Sequence, residues 1–83
     1  MKLILSKSAH KQYLKLSQPA QNKIKKKLSL LLIDHNAGKK LVGELKGKLS
    51  LRAWPYRIVY SINDKQKQVE ILQIIHRQSA YKK

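Results

Sequence analysis

The residues from Leu51 to Ile62 constrain the fold most, because β-type residues there surround a dipeptide that no central strand can contain. Trp54-Pro55 interrupts the run, and proline has no N–H to donate to a ladder. The stretch from Tyr56 to Ile62 is rich in β-branched and aromatic residues, which is typical of strands. The sequence therefore predicts two strands joined at Trp54-Pro55, the second of which carries Arg57.

The stretch that leads into this turn alternates with a period of two, as a strand with one buried face does. Its odd positions hold Leu41, Leu45, Leu49, Leu51 and Ala53, and its even positions hold Glu44, Lys46, Lys48, Ser50 and Arg52. One face should therefore be apolar and the other basic. Gly43 and Gly47 weaken one unbroken strand and predict a bend or bulge.

The other elements come from capping residues and periodicity. Lys2 to Leu5 predicts a short strand, and Ser6 or Ser8 caps a helix that runs to about Leu16. A second helix starts at Pro19 and runs to about His35, with Gly38 closing it. The apolar stripe of this helix is expected to comprise Ala20, Ile24, Leu28, Leu31 and Leu32.

A polar turn over residues 63–68 precedes a last strand from Val69 to Ile75. The predicted order is βααβββ. This is an α+β fold, with a helical hairpin packed on one face of a largely antiparallel sheet, and residues 1–83 form one domain.

The charge balance predicts a polyanionic partner. Lysine and arginine number 19 against four acids, a formal net charge of +15, which suits nucleic acid, an anionic membrane or an acidic protein. The longest apolar run, Leu28 to Ile33, is too short to span a bilayer, and the N-terminus has no signal-peptide pattern. We therefore expect a cytoplasmic protein without a membrane partner.

Strand parity predicts a basic sheet face away from the helices. Lys46, Lys48, Ser50 and Arg52 should point outward together with Arg57. On the last strand, Leu72 and Ile74 should point inward and Gln73 outward, with Arg77 in phase. His76 and Tyr81 would border this face, which suits a phosphodiester backbone. The alternative is that Arg57 and Arg77 merely pair with Glu70, Asp64 or the carboxy-terminus.

Standard catalytic groups are mostly missing. The chain has no cysteine, its four acids are scattered, and its three histidines lack metal-ligand spacing, so neither a metal nor a cofactor is expected. One compatible reaction is attack of an RNA 2′-hydroxyl on its own 3′-phosphate. It needs a proton acceptor, cations and a donor for the leaving oxygen, all of which Lys, Arg, Tyr and His can supply. Surrounding cations would lower the pKa of a lysine base, as this role requires.

Several segments resemble the RelE/ParE superfamily of toxins. They are Leu45 to Arg52, Tyr56 to Tyr60, Val69 to Leu72, and His76-Arg77 with Tyr81. The resemblance implies a toxin of a type II toxin–antitoxin pair, held inactive by a small acidic antitoxin. DNA would be contacted only indirectly, through the antitoxin complex.

RelE-like members imply more: they enter the ribosomal A site and cleave mRNA there without metal, so contacts with 16S rRNA are expected. Carried over by position, the active site would hold Arg57, Arg77 and Tyr81. Leu49 and Leu51 occupy the places nearest the arginine, so the lysine role falls to Lys46 or Lys48. His76 would do acid–base work, Arg52 would bind phosphate, and Gln73 would contact RNA.

Two alternatives remain open. ParE-like members share the fold but poison DNA gyrase and are not nucleases, and a third reading is an RNA-binding relative without activity. The presence of Arg57, Arg77 and Tyr81 together favours the ribosome-dependent endoribonuclease.

Overall fold

The computed structural model describes residues 2–34, 37–40 and 47–76. In chain order these form β1 (Lys2–Leu5), α1 (Lys7–Leu14), α2 (Gln18–Ile33), β2 (Lys39–Lys40), β3 (Leu49–Ala53), β4 (Tyr56–Asn63) and β5 (Gln68–His76). The described strands make a five-stranded sheet in the order β1-β5-β4-β3-β2. Only the β1–β5 pair is parallel among them. The predicted α+β fold and its largely antiparallel sheet are confirmed, with β2 as an addition.

The core lies between the two helices and one face of the sheet. Ala9, Ile24, Leu28 and Leu31 from the helices pack with Leu49, Leu51, Ala53, Ile58, Tyr60, Val69, Ile71 and Ile74 from the strands. The alternation predicted for β3 is confirmed by its buried leucines. In β4, Ile58 and Tyr60 are buried as predicted, and Val59 between them is buried as well. Burial of this apolar face fixes the register, since a slip by one residue would expose the whole set.

A register shift in β5 overturns one prediction. Val59 pairs with Gln73, but the next residue of β4, Tyr60, pairs with Ile71, so Leu72 has no partner on β4. This is the two-against-one pattern of a β-bulge. Ile71 and Ile74 consequently face the core, whereas the expectation that Leu72 faces inward beside Ile74 was wrong.

Side chains of α1 cover the edge of β5 where β1 ends. Ser6 Oγ donates to the carbonyl oxygen of Leu72 at 2.8 Å and accepts from the Ala9 N–H at 3.1 Å, which makes Ser6 the predicted N-cap as well. Gln12 Oε1 accepts from the Ile74 N–H at 2.7 Å. These bonds satisfy strand groups that β1 is too short to reach, and they hold the last residues of β5 in place.

The helices differ from their predicted extents at the ends. α1 stops at Leu14 rather than Leu16, and α2 stops at Ile33 before the predicted end at His35, which lies outside the described residues. Leu32 is 41% exposed, so its place in the apolar stripe was wrong. It lies about 100° beyond the buried Leu31 around the helix, on the edge away from the sheet.

Gly38 does not close α2 as predicted; it allows a close approach to Tyr60. Its N–H donates to the Tyr60 hydroxyl oxygen at 2.9 Å. A β-carbon on Gly38 would lie 2.6 Å from that oxygen and 2.8 Å from the Ser50 carbonyl oxygen. Tyr60 is fully buried, so this bond ties the segment after α2 to the middle of the sheet.

Some predicted features lie outside the described residues, namely Leu41, Gly43, Glu44, Leu45, Lys46, Arg77 and Tyr81. The proposed bend at Gly47 is described, and its positive φ of 89° suits glycine there. Along the part of the chain that the structure describes, neither helix has the length and apolar character to cross a membrane.

Replacing Tyr60 with Phe removes the acceptor of the Gly38 N–H while keeping the ring. We expect the free energy of unfolding to fall by about 1–3 kcal/mol, because a partly buried donor loses its partner. Urea denaturation measures this change. Tyr13→Phe is the control, since the Tyr13 hydroxyl has no hydrogen bond within the described residues. Equal losses in both variants would contradict the assigned bond.

Tyr60 also makes the stability of the fold depend on pH. Burial and the nearby charge of Asp34 raise the pKa of Tyr60 above its ordinary value of 10.0, although the Gly38 bond opposes them. Tyr60 therefore ionises at a lower pH in the unfolded chain than in the folded protein. Its contribution to the free energy of unfolding is full below pH 10.0 and is lost as pH rises through the folded pKa. The stability gap between the wild type and Tyr60→Phe should therefore shrink in alkali. A constant gap from pH 9 to 11 would refute this.

Candidate nucleic-acid interface

Two arginines lie opposite each other on the sheet face away from the helices. Arg52 of β3 pairs with Arg57 of β4, and Arg57 pairs on its other side with Ile75 of β5. Directly opposed residues of an antiparallel pair have β-carbons about 4.5–5.5 Å apart. The register therefore brings two guanidinium groups to one spot, one exposed and one half-buried. We call this the arginine pair.

Like charges directly opposite each other destabilise a sheet unless something neutralises them. Neither guanidinium has a hydrogen-bond or ion-pair partner within residues 2–34, 37–40 and 47–76. Arginine presents several donors in a planar fork that matches the geometry of phosphate oxygens. The arginine pair thus has the charge and donor geometry that a candidate anion site requires.

The described acids lie away from this spot. Glu70 pairs with Ser61, whose hydroxyl is 3.4 Å from the Glu70 carboxylate. Ser61 is four residues along β4 from Arg57, which is about 13 Å at strand geometry. Asp64 is in the turn beyond β4. Neutralisation of Arg57 by Glu70 or Asp64, the alternative reading of the sequence, has no support in this arrangement.

Gln73 lies on the same outer face, where parity predicted it. It is exposed and pairs with Val59, and Val59 pairs in turn with Ser50. Ser50, Val59 and Gln73 thus lie side by side on the same face as the arginine pair. They are two residues further along the strands from the Trp54-Pro55 turn. Gln73 can therefore offer an amide to a ligand that extends from the arginines across β5.

Lys48 lies at the other end of β3 from the arginine pair. It is half-buried and directly precedes Leu49, which pairs with Tyr60. Four residues separate it from Arg52, again about 13 Å along the strand. The structure thus brings Lys48 close to the Ser61 and Glu70 end of the face and not to the arginines.

His76 ends β5 beside the arginine pair, although strand alternation turns it to the other face. It pairs with Tyr56, and the two rings meet edge to face with centroids 5.2 Å apart. Tyr56 packs against the core, so His76 shares the helix side of the sheet at its rim. Its backbone is one residue along and one strand across from Arg57. The side chain of His76 therefore does not border the basic face as predicted, and only the end of its strand lies beside that face.

Lys23 and Trp54 are two features that the sequence did not connect with the site. The Lys23 ammonium of α2 donates to the Trp54 carbonyl oxygen at 2.8 Å, which attaches the helix to the turn between β3 and β4. The Trp54 side chain is 53% exposed. A lysine five residues past the helix start gave no indication of this partner, which is 31 residues away.

Three predicted site residues, Lys46, Arg77 and Tyr81, lie outside the described residues. Arg77 is the next residue in sequence after His76, the last described residue. Among the described residues, no three His, Cys, Asp or Glu side chains come together in a way that could hold a metal ion.

Comparison with known proteins gives consistent matches. Residues 3–81 match the family model described as the ParE toxin of the type II toxin–antitoxin system parDE. A curated relative, Toxin RelE of Mycobacterium tuberculosis, is 42% identical over 53 residues, which are 64% of this chain and 55% of that protein. The chain therefore matches little more than half the length of this relative.

Solved structures share the fold along most of the chain. The toxin–antitoxin complex RelBE2 of Mycobacterium tuberculosis superposes with a TM-score of 0.84 at 28% identity, covering 92% of this chain and 96% of that one. A YoeB/ParE toxin from Agrobacterium tumefaciens gives 0.81 at 23% identity, covering 92% and 98%. At that identity the second match concerns the fold alone.

Replacing Arg52 with Gln tests the arginine pair as an anion site. Removing one of two opposed charges should raise the free energy of unfolding by about 0.2–1 kcal/mol at low ionic strength. Added inorganic phosphate should stabilise the wild type more than the variant, because it binds only the folded pair. Thermal unfolding measures both. Lys65→Gln, at an exposed position in the distant turn, is the control. If phosphate stabilises all three proteins equally, the pair is not an anion site.

Proposed function

The chain belongs to the ParE toxin family of type II toxin–antitoxin systems, within the RelE/ParE superfamily, and from that premise we propose a ribosome-dependent mRNA endoribonuclease. It cleaves mRNA in the A site and so blocks translation in the cytoplasm. The observation that carries this proposal is the arginine pair, Arg52 opposite Arg57 on the sheet face away from the helices. A phosphodiester is the ligand that such a pair fits best.

The reaction in this proposal uses the substrate as its own nucleophile. The 2′-oxygen attacks the adjacent phosphorus, its proton passes to a base, and the bond to the 5′-oxygen breaks as that oxygen takes a proton. The products carry a 2′,3′-cyclic phosphate and a 5′-hydroxyl. Arg57 stabilises the charge that grows on the phosphorane oxygens. Arg77 assists there or at the leaving oxygen, and Tyr81 stacks on a base or orients the 2′-hydroxyl.

His76 is our choice of proton acceptor over Lys48. Its backbone is one residue along β5 from Ile75, the partner of Arg57, so its ring, which rests against Tyr56 on the helix side, reaches a phosphate on Arg57 around the end of the strand. Lys48 is near the far end of β3, so its ammonium must span most of the strand to reach a phosphate on Arg57. Lys48, Lys46 and Gln73 then bind the RNA that flanks the scissile phosphate.

Two partners accompany this function. A net charge of +15 suits an acidic antitoxin, and a structurally similar relative was solved as a toxin–antitoxin complex. The ribosome is the second partner, with mRNA on the arginine face and 16S rRNA against other basic surfaces. The helices offer one such surface, because residues 2–33 contain eight lysines and no acid. Binding to the antitoxin and binding to the ribosome should both weaken as the salt concentration rises.

A gyrase inhibitor is the second candidate, favoured by the family model, which is that of the ParE toxin. This function would need the basic face for binding only, without a proton acceptor. The arginine pair fits either polyanionic partner, and the presence of Arg57, Arg77 and Tyr81 together is what favours the nuclease.

Primer extension on a defined mRNA in a translating extract tests the proposal. The wild type should cut within A-site codons, and the cuts should vanish without ribosomes. Double-strand breaks in gyrase-bound DNA with no mRNA cleavage would favour the gyrase inhibitor instead.

Variants assign the cleavage to the arginine face. Arg57→Ala should lower the cleavage rate by about 10²–10³-fold, because the phosphorane loses a preorganised donor. Arg77→Ala should also relieve toxicity, and both should still bind antitoxin. Lys65→Ala, in the turn at the other end of β4, is the matched loss of one charge and should keep full activity. Full toxicity of both arginine variants would exclude this site.

The proton acceptor has its own test. His76→Gln should lower kcat by about 10²–10⁴-fold with little change in KM, and Lys48→Gln should mainly raise KM. Single-turnover cleavage on programmed ribosomes separates the two effects, and thermal unfolding checks that the contact with Tyr56 is not the cause. The reverse pattern would give the role to Lys48.

A further inference from the structure

Trp54 is a large aromatic side chain on the surface that the proposed chemistry does not use. It is the only tryptophan of the chain, it lies at the tip of the turn between β3 and β4, and it is 53% exposed. Tryptophan normally buries much of its surface, since that burial contributes strongly to stability. The other large exposed side chains among the described residues, Ile4, Leu14, Leu30, Leu32 and Ile33, are aliphatic.

Three cationic side chains lie near the turn that carries Trp54. Arg52 is two residues before Trp54, in the pair that adjoins the turn, with Arg57 opposite it. Lys23 reaches over from α2 and bonds the Trp54 carbonyl oxygen at 2.8 Å. The described acids lie elsewhere: Asp64 is in the turn beyond β4, Glu70 pairs with Ser61, and Asp34 follows α2. An aromatic surface is thus set in a local excess of positive charge.

The Lys23 bond also makes the turn a defined platform. It attaches the backbone of Trp54 to a helix that packs in the core, so the turn is held on the strand side and on the helix side. Proteins commonly bind single-stranded nucleic acid with an aromatic ring that is held beside cationic side chains. The base stacks on the ring while its phosphates contact lysine and arginine.

We propose that Trp54, Arg52 and Lys23 form a stacking subsite for one unpaired nucleobase of single-stranded RNA, next to the arginine pair. This rests on the proposed function in one respect, since the RNA whose phosphate meets the arginine pair supplies the base. Stacking on Trp54 orients the strand as it passes from the turn to Arg57. A base inside a duplex has no free face to offer, so the subsite selects unpaired RNA.

Intrinsic fluorescence reports this subsite directly, because the chain has one tryptophan. A short oligouridylate, titrated at low salt, should quench the emission in a saturable way. Inorganic polyphosphate and poly-glutamate, which carry charge but no bases, should quench far less at equal charge, and so should a blunt RNA duplex. If oligouridylate does not quench, or if polyphosphate or poly-glutamate quenches as strongly, the proposal is wrong. Strong quenching by poly-glutamate alone would assign the ring to an acidic protein partner.

Variants give a second, independent readout from the anisotropy of a labelled oligouridylate. Trp54→Leu should weaken binding by about tenfold or more, because it removes the stacking face but keeps an apolar side chain. Trp54→Phe should retain most of the affinity. Ile33→Ala, which trims an 83% exposed aliphatic side chain at the far end of α2, should bind as the wild type does. Equal binding by Trp54→Leu and the wild type would overturn the subsite.

The two proposals fail separately. If the wild type cleaves mRNA on ribosomes but shows neither base-dependent quenching nor a Trp54 effect, the subsite is wrong and the nuclease stands. If quenching and the Trp54 effect appear without ribosomal cleavage, the subsite stands and the nuclease is wrong. Thermal unfolding of each variant excludes loss of folding as the cause, which the exposure of Trp54 already makes a small concern.

Discussion

The register of the β3–β4 hairpin is the constraint on which the site depends. Leu49, Leu51 and Ala53 must face the core, as must Ile58 and Tyr60, and this burial leaves Arg52 opposite Arg57 on the other face. The apolar contacts therefore impose a like-charge pair that is unfavourable by itself. An anion bound between the two guanidinium groups would relieve this repulsion, and a phosphodiester is the anion that we propose.

The bulge in β5 and the side chains of α1 complete the arrangement. Without the bulge at Leu72, the parity of the last residues of β5 would reverse, and Gln73 would turn toward the core. Ser6 and Gln12 bind the backbone of β5 on either side of that point. The end of β5, and with it His76, is therefore positioned by a helix at the other end of the chain. Residues that are far apart in the sequence therefore meet at this end of the sheet.

Local patterns in the sequence were enough to predict the hairpin, the Trp54-Pro55 turn, the cap at Ser6 and the outward position of Gln73. The errors share a different cause. The bulge at Leu72 arises from pairing between strands, and the role of Gly38 arises from contact with Tyr60, which is 22 residues away. Neither contact is encoded in the spacing of neighbouring residues. The displacement of Lys48 from the arginines, by contrast, follows from its four-residue spacing from Arg52 along the chain.

The most direct measurement of the central claim is a cryo-electron microscopy map of the protein on a ribosome whose A-site codon carries 2′-deoxy nucleotides. That mRNA lacks the attacking hydroxyl, so the complex should persist uncleaved. We expect density for the scissile phosphate between Arg52 and Arg57, with His76 at the near strand end. A phosphate held elsewhere on the protein, or cleavage of the 2′-deoxy mRNA, would contradict it.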